Sequence, residues 1–391
     1  MESNLIQNLT ALKALPSSWG IFSFEQLALD VSRGNKKTLK SDFLEEGEFV
    51  IVDQGQSLVA GYTNNSNLLV KAPPPYIVFG DHTRALKYID VPFAMGADGT
   101  KVLKSVNDET TNAKYLYYFF LTLNIPNTGY NRHFKYLKSV KIPLPPLAEQ
   151  KQIAAILDAA DSLRQKDQQL VEHYTALSQS LFLEMFGGLK GQKVSLSSLC
   201  QINPPKSEIA KFDKNSYVSF VPMAKVSEYG DVELTDNRLL EEVWSGFTYF
   251  ADNDVVFAKI TPCMENGKGA IMRNLTNGVG FGTTEFHVLR PVPNLSTPEW
   301  IYALTTQKSF RQYAELNMTG TAGQKRVPKQ FFDKYMLVKP SIELQNQFAE
   351  RIAIIEKQKQ QAQTNLQKSE ALFNSLLQRA FTGELTADRA A

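Results

Sequence analysis

The chain repeats itself, and the repeat decides what it can fold into. Residues Pro145-Pro146-Leu147-Ala148-Glu149-Gln150-Lys151-Gln152-Ile153-Ala154 return as Pro340-Ser341-Ile342-Glu343-Leu344-Gln345-Asn346-Gln347-Phe348-Ala349, 195 positions later. The same offset carries Gln165 onto Gln360, Gln168 onto Gln363, Ala176-Leu177 onto Ala371-Leu372, Ser180-Leu181 onto Ser375-Leu376 and Phe186 onto Phe381. A period this long exceeds the roughly 20–50 residues of a solenoid unit. It predicts two tandem globular domains, each followed by a long helix, and a target that itself has two halves.

A length of 391 residues suits two or three domains, each able to bury its own core. The 43% hydrophobic and 21% charged fractions are those of an ordinary soluble globular protein. No apolar run approaches the roughly 20 residues of a membrane span, and Met1-Glu2-Ser3-Asn4-Leu5 lacks the basic region and apolar stretch of a secretory leader. A cytoplasmic location without membrane attachment is expected. Cys200 and Cys263 could form one disulfide or stand as two thiols in a reducing cytosol. The net charge of +2 decides little, so any electrostatic footprint must come from local clusters.

The pattern predicts an α+β chain of two tandem α/β domains and two long antiparallel coiled-coil helices. The boundaries are 1–146 for the first domain, 147–186 for the first spacer helix, 187–341 for the second domain and 342–391 for the second helix and tail. Glu48-Phe49-Val50-Ile51-Val52 and Pro75-Tyr76-Ile77-Val78-Phe79-Gly80 read as strands bounded by Gly and Pro. Asn112 to Leu123 reads as a mostly buried helix, echoed by Pro298-Glu299-Trp300-Ile301-Tyr302-Ala303-Leu304. Phe22-Ser23-Phe24 with Leu27 resembles Val194-Ser195-Leu196 with Leu199, and Tyr76-Ile77-Val78-Phe79 resembles Asp254-Val255-Val256-Phe257.

The proline-bearing stops at Pro143, Pro145 and Pro146, and at Pro340-Ser341, fit helix starts. Leu147 to Met185 would span about 58 Å at 1.5 Å per residue. Ile153, Ile156, Ala160, Leu163, Leu170, Tyr174, Leu177 and Leu181 follow three- and four-residue steps, interrupted by Asp167. Phe348, Ile352, Ile355, Ala362, Leu366, Phe373, Leu376 and Ala380 do the same, interrupted by Lys359 and Ser369. That is the narrow seam of a coiled coil, and two helices with one seam each are expected to pack together. Gly187-Gly188 and Gly383 would close the helices as C-caps.

A search for chemistry finds no complete catalytic constellation. Asn203-Pro204-Pro205-Lys206 resembles the base-flipping loop of amino-group DNA methyltransferases, but Lys stands where an aromatic should, and no Gly-rich strand-to-helix turn offers a methyl-donor site. The alternative is a rigid polar turn. Pro73-Pro74-Pro75-Tyr76 lacks the side-chain amide altogether. Histidines 82, 133, 173 and 287 and the two cysteines show no metal-ligand spacing. Gly267-Lys268 has Pro262 where a Walker loop needs glycine. Gly278-Val279-Gly280-Phe281-Gly282 reads as a flexible turn or bulge, and no Pro-Asp dipeptide of the common nuclease type occurs. Asp81-His82, beside Thr83-Arg84, suits structure or contact better than general-base catalysis. A chain without catalysis and without a cofactor of its own is expected.

Late in each domain a glycine turn precedes cations. The first is Thr128-Gly129-Tyr130-Asn131-Arg132-His133-Phe134-Lys135, continuing to Lys138 and Lys141; the second is Thr319-Gly320-Thr321-Ala322-Gly323-Gln324-Lys325-Arg326, then Lys329. Glycines let a backbone approach a phosphate, and cations neutralise it with counterion release. Asn131, Arg132, Gln324 and Arg326 are also side-chain types that read adenine or guanine edges. Further candidates for DNA contact are Arg33, Lys36, Lys37, Arg84 and Lys87, and in the second domain Lys259, Lys268 and Arg273.

Ile142-Pro143-Leu144-Pro145-Pro146-Leu147-Ala148-Glu149-Gln150-Lys151-Gln152-Ile153-Ala154 resembles the signature entry into the conserved helix of the specificity (S) subunits of type I restriction-modification systems. The ending Leu377-Gln378-Arg379-Ala380-Phe381-Thr382-Gly383-Glu384-Leu385 and the stretch Val78-Phe79-Gly80-Asp81-His82-Thr83-Arg84 resemble that family too. The second repeat departs from it with Ser341 for the second proline and Leu344 for the glutamate. The resemblance implies that each globular domain reads one half of a bipartite double-stranded DNA site while the helices set the gap. It also implies two methyltransferase (M) subunits docked on the helices and motor-nuclease (R) subunits joining for cleavage. Methyl donor, ATP and magnesium would belong to those partners. Two rival classes stay open: a divergent DNA methyltransferase or nuclease, which would bind methyl donor alone, and a coiled-coil protein adaptor, which would show no salt-dependent DNA affinity.

Overall fold

A computed structural model of the chain describes residues 15–387, apart from Ala97, Tyr130 and Ala322. Residues 1–14 of the expected first domain, 388–391 of the expected tail, and Tyr130 and Ala322 of the two glycine turns lie outside the described residues. Two compact units result, one reaching to Asp167 and resuming at Asn365, the other spanning Gln168–Thr364. Each takes one globular repeat with a part of both long helices.

The first repeat runs β1 (Gly20–Ser23), α1 (Phe24–Leu27), β2 (Ala28–Asp30), β3 (Phe49–Val52), β4 (Gly61–Thr63), β5 (Tyr76–Gly80), β6 (Leu86–Ile89), β7 (Phe93–Met95) and β8 (Thr100–Ser105). Then come α2 (Ala113–Leu121), α3 (Phe134–Lys138), β9 (Lys141–Leu144) and the long helix α4 (Leu147–Phe186). Strands β2-β8-β5-β6 form an antiparallel sheet, while β4-β3-β7 is mixed, with β3 parallel to β7. β1 pairs antiparallel with β9, Gly20 opposite Leu144, so the repeat closes where the long helix begins.

The second repeat follows the same plan through β10 (Lys193–Ser195), β11 (Cys200–Ile202), β12 (Tyr217–Val221), β13 (Asn237–Leu239), α5 (Leu240–Val243), β14 (Thr248–Ala251), β15 (Val255–Ala258), β16 (Gly269–Ile271), β17 (Val279–Gly282) and β18 (Phe286–Pro291). Helices α6 (Pro298–Thr306), α7 (Lys308–Leu316) and α8 (Phe331–Lys334), strand β19 (Met336–Val338) and the long helix α9 (Ile342–Ala380) complete it. Here β11-β18-β15-β16 is the antiparallel sheet, β13-β12-β17-β14 the mixed one with β12 parallel to β17, and β10–β19 the closing pair. The α+β expectation holds. Two elements differ from it. Helix α7 was not anticipated, and Gly278–Gly282 is no flexible turn: β17 is a buried strand. A Cβ at Gly280 would lie 2.2 Å from the Phe250 ring and one at Gly282 2.4 Å from the Val221 carbonyl oxygen, so close packing requires glycine there.

In the first unit Tyr115, Leu116, Phe119 and Phe120 of α2 share a core with Phe24, Phe79 and Phe134, and with Ile153 and Leu157 of α4 and Phe373 of α9. The Phe381 ring lies 5.2 Å from Tyr115 and 5.4 Å from Phe119. In the second unit Trp300, Ile301 and Leu304 of α6 pack with Phe310, Phe331 and Phe332, and with Phe182 and Phe186 of α4 and Phe348 and Ile352 of α9. Within each unit an early stretch of one long helix therefore meets a late stretch of the other, which makes the pairing antiparallel.

The buried column of α4 departs from the expected seam. Leu163, Leu170 and Leu177 are 46%, 39% and 41% exposed, whereas Leu157, Val171 and Phe182 are buried. Arg164 is the reason. Its guanidinium lies 5.2 Å over the Phe373 ring while bonding Asp161, so a charged residue takes a seam position by stacking its planar head on an aromatic. On α9 the apparent interruptions are seam residues too. Lys359 is buried, donating to the Tyr229 carbonyl at 3.2 Å, and buried Ser369 donates back to the Leu366 carbonyl at 3.0 Å. Gly383 takes the left-handed conformation expected of a C-cap, with φ of 84°, but Gly187 does not.

One construction recurs at both helix entries. Gln150 is fully buried; its Nε2 donates to the Thr110 carbonyl at 2.9 Å and the Pro145 carbonyl at 2.8 Å, and its Oε1 accepts from the Asn112 N–H at 2.8 Å. Gln345, equally buried, donates to the Leu295 carbonyl at 3.0 Å and the Pro340 carbonyl at 3.2 Å and accepts from the Thr297 N–H at 2.9 Å. Asn112 and Thr297 are the N-caps of α2 and α6. A single amide thus ties the aromatic helix, the closing strand and the long helix together. Ser341, which replaces the second proline, caps α9 by accepting from the Leu344 N–H at 3.2 Å.

Candidate nucleic-acid interface

In the first repeat the turn after β5 is knit to the glycine turn before α3. The Asp81 carbonyl accepts from the His133 N–H at 2.8 Å and from its Nδ1 at 3.0 Å, while the buried Asp81 carboxylate accepts from the Phe134 N–H at 2.8 Å. With Nδ1 donating, His133 Nε2 is the acceptor, 3.3 Å from the Thr128 hydroxyl and 3.4 Å from its N–H. Gly129 stands at φ of 77° with no atom within 4 Å of where a Cβ would be, so the backbone there is open to approach. Outside this frame Asn131, Arg132, Lys135 and Lys138 are exposed.

Two expected contacts are corrected here. His133 is wholly buried and shapes the loop from within. Lys87 is only 4% exposed, its ammonium donating to the Asp53 carbonyl at 2.9 Å beside the Asp53 carboxylate, and burial lowers its pKa. Its ammonium is thus spent inside the fold and not presented at the surface. Arg84, at φ of 63°, is half-buried and donates to the Ile125 carbonyl at 3.1 Å. Lys36 and Lys37 are exposed on the loop after β2, and Lys37 is paired with Asp98.

The second repeat joins the same two segments by an equivalent bond. The Val327 N–H donates to the Lys259 carbonyl at 2.9 Å, as His133 does to Asp81. Thr261 adds its N–H and hydroxyl to the Lys325 carbonyl at 3.1 and 3.0 Å. His287 Nε2 donates to the Val327 carbonyl at 2.8 Å, and its Nδ1 accepts from Asn203 Nδ2 at 3.2 Å. Asn203 Oδ1 accepts from the Val288 N–H at 2.9 Å. The amide of Asn203-Pro204-Pro205-Lys206 is therefore spent inside the fold, and Lys206 donates to the Trp244 carbonyl at 2.6 Å. The rigid-turn alternative for this motif is the one the geometry supports.

Gln324, Lys325 and Lys329 are exposed, and Gly323, at φ of 82°, has nothing within 4 Å of a Cβ position. Arg326 is held: Nε and Nη2 fork onto the Glu285 carboxylate at 2.9 and 2.8 Å, which lowers the pKa of Glu285. Lys268 is half-buried, 3.4 Å from the Met223 carbonyl. Arg273 does not join these loops and pairs with Glu299 of α6. Sequence reasoning missed the two histidine braces and the Gln150 and Gln345 ties. The paired glutamines were visible in the repeat, whereas no local signal marks a bracing histidine.

Cys200 and Cys263 are free, and burial pushes the Cys200 thiol up to about 12, far from a reactive thiolate. Among the described residues no group of three or more His, Cys, Asp or Glu could hold a metal ion, and no helix is long and apolar enough to cross a membrane.

Residues 16–173 match the family model of the type I restriction modification DNA specificity domain. The type I restriction enzyme EcoEI specificity subunit of Escherichia coli is 36% identical over 189 residues, 47% of this chain and 31% of that protein. The EcoAI specificity subunit of the same organism is 34% identical over 188 residues, again 47% of this chain and 31% of that protein. The match thus spans under a third of the length of these curated relatives. Among solved structures, the S subunit of a type I restriction-modification system from M. genitalium superposes with a TM-score of 0.56 at 15% identity, covering 97% of this chain and 98% of that one. This similarity establishes a shared fold.

Proposed function

We propose that this chain belongs with the specificity subunits of type I restriction-modification systems and reads a bipartite DNA site, one half with each globular repeat. The observation that carries the reading is the duplicated loop frame. In both repeats the segment after the central strand and the glycine-cation segment are joined by one equivalent backbone bond, His133 to Asp81 and Val327 to Lys259. Each frame leaves a set of cations and amides facing solvent: Asn131, Arg132, Lys135 and Lys138 in one, Gln324, Lys325 and Lys329 in the other. Such sets combine phosphate neutralisation with side chains able to bond base edges.

In this reading the chain is the non-catalytic member of a larger assembly, working in the cytoplasm. Helices of 40 and 39 residues, about 60 Å each at 1.5 Å per residue, set the gap between half-sites. The exposed leucines of α4 supply an apolar column for two methyltransferase subunits, with motor-nuclease subunits joining them for cleavage. Methyl donor, ATP and magnesium are held by those partners. Methylation needs the target base extruded from the duplex, so this chain grips the flanking bases.

Arg132→Ala and Gln324→Ala test the assignment of halves. If each side chain bonds a base edge, each variant loses about 1–3 kcal/mol of discrimination at one half-site only. Binding by the assembled complex to duplexes scrambled in one half or the other is the measurement. Uniform weakening on all sequences, with a smaller salt dependence, would reassign the residue to phosphate contact. Methyl transfer by the purified chain without partners would overturn the non-catalytic reading.

A further inference from the structure

The second repeat carries a device that the first lacks. The segment between β15 and β16, Lys259 to Lys268, is about twice as long as its counterpart, Asp81 to Ala85. It is wound on itself: Met264 N–H donates to the Ile260 carbonyl at 2.9 Å, Asn266 to Pro262 at 2.9 Å and Lys268 to Cys263 at 3.0 Å. These bonds give the loop a shape of its own. On its outer side Thr261 ties it to the Lys325 carbonyl, in the glycine-cation segment.

Its inner side is anchored by buried Met264, which packs in the core with Phe257 and Phe310, and its carbonyls are held by Arg311 of α7. Arg311 Nη2 donates to the Gly267 carbonyl at 2.9 Å, Nη1 donates to the Met264 carbonyl, and the guanidinium lies 5.7 Å over the buried Phe257 ring. Among the described residues no carboxylate pairs with it, and burial lowers its pKa to about 10, so it stays charged near neutrality. Beside it opens a cleft of about 630 Å3, bordered by Glu265, Asn266, Gly267 and Tyr302, so on this side the Gly267 end of the loop is held by Arg311, while buried Met264 anchors its middle in the core. Two carbonyls at a fixed separation suit a planar fork and not a single ammonium. The first repeat has no counterpart of α7 among its described residues, and its shorter turn is braced by Arg84 on the Ile125 carbonyl.

We infer that Arg311 is a specificity-positioning residue: by fixing the Lys259–Lys268 loop from behind, it sets where Lys259, Lys268 and Lys325 stand before the DNA. This rests on the DNA-reading function proposed above. The residue touches no base in this scheme, so its effect is on discrimination.

The test uses the assembled methyltransferase complex carrying wild-type chain, Arg311→Gln or Arg311→Lys. Duplexes hold the mapped target site or one base change in either half. Arg311→Gln is expected to cut discrimination at the half read by the second repeat by about tenfold or more, within the range of a single mismatch, and to leave the other half unchanged. Arg311→Lys, keeping the charge without the fork, should restore only part of it. Hydrogen exchange on the isolated chain should show faster exchange in residues 260–268 of Arg311→Gln, with β15 unaffected. Full discrimination in both halves, or equal loss in both with general loss of exchange protection, overturns the positioning role. A wild-type complex that discriminates neither half overturns the DNA-reading function itself, and this inference with it.

Discussion

Replacing Gln345 by methionine is expected to destabilise the second unit by about 2–4 kcal/mol, and Gln150→Met to do the same to the first, although neither residue faces solvent or DNA. Methionine keeps the length of glutamine and removes its amide. The Leu295 and Pro340 carbonyls and the Thr297 N–H, which Gln345 now satisfies, would be left without partners in a fully buried site. Leaving one buried polar group unsatisfied costs about 1–3 kcal/mol, and several share whatever relaxation the site allows. The Thr297 N–H sits at the N-cap of α6, so the loss also reaches the helix that carries Trp300. Urea unfolding of each variant measures the effect. A change under about 0.5 kcal/mol would mean that water replaces the amide and that the tie is dispensable.

That pair of glutamines also marks how far sequence reasoning reaches. The duplication, the two long helices and the strands around Val50, Val78 and Val256 were legible, because repetition and periodicity record burial directly. The seam of α4 was misread for a definite reason. Hydropathy ranks Leu163 above Arg164, yet the guanidinium of arginine can stack over Phe373 while it bonds Asp161. The same blindness made Lys359 and Ser369 look like breaks in α9. Glycines 280 and 282 read as a turn in the sequence because nothing local records that the Phe250 ring and the Val221 carbonyl need their space.

The candidate interface was legible in position and less so in membership. Composition singled out the two glycine-cation segments, and the fold joins each to the turn after β5 or β15. Which side chains remain free to meet DNA depends on partners distant in sequence. Asp53 claims Lys87 and Glu285 claims Arg326, while Arg132 and Gln324 stand clear. His133 illustrates the difference within one motif: Arg132 is exposed, whereas the next residue, His133, is buried because its ring is needed under the loop.

The second histidine brace gives the fold a dependence on acidity. His287 is buried and neutral, bonded through Nε2 to Val327 and through Nδ1 to Asn203, and burial lowers its pKa from 6.5 to about 4. A base whose folded pKa lies below its unfolded value favours the fold while it is uncharged. Its contribution is fully present above about pH 6.5, declines as pH falls below that value and is gone once pH drops through about 4. At about 1.4 kcal/mol per pH unit, the difference over this window is about 3 kcal/mol. Protonation would also place a donor on Nδ1 against the Asn203 amide, turning the side chain that anchors β18 and loosening the Val327 end of the glycine-cation segment. His287→Gln keeps a donor for the Val327 carbonyl and cannot titrate. It should therefore be less stable than wild type at pH 7.5, with the gap narrowing by about 2 kcal/mol or more on acidification to pH 4.5. Urea unfolding of both proteins at several pH values decides it, since losses from carboxylates elsewhere are common to the two. A gap that stays constant with pH would show that His287 is not the titrating brace.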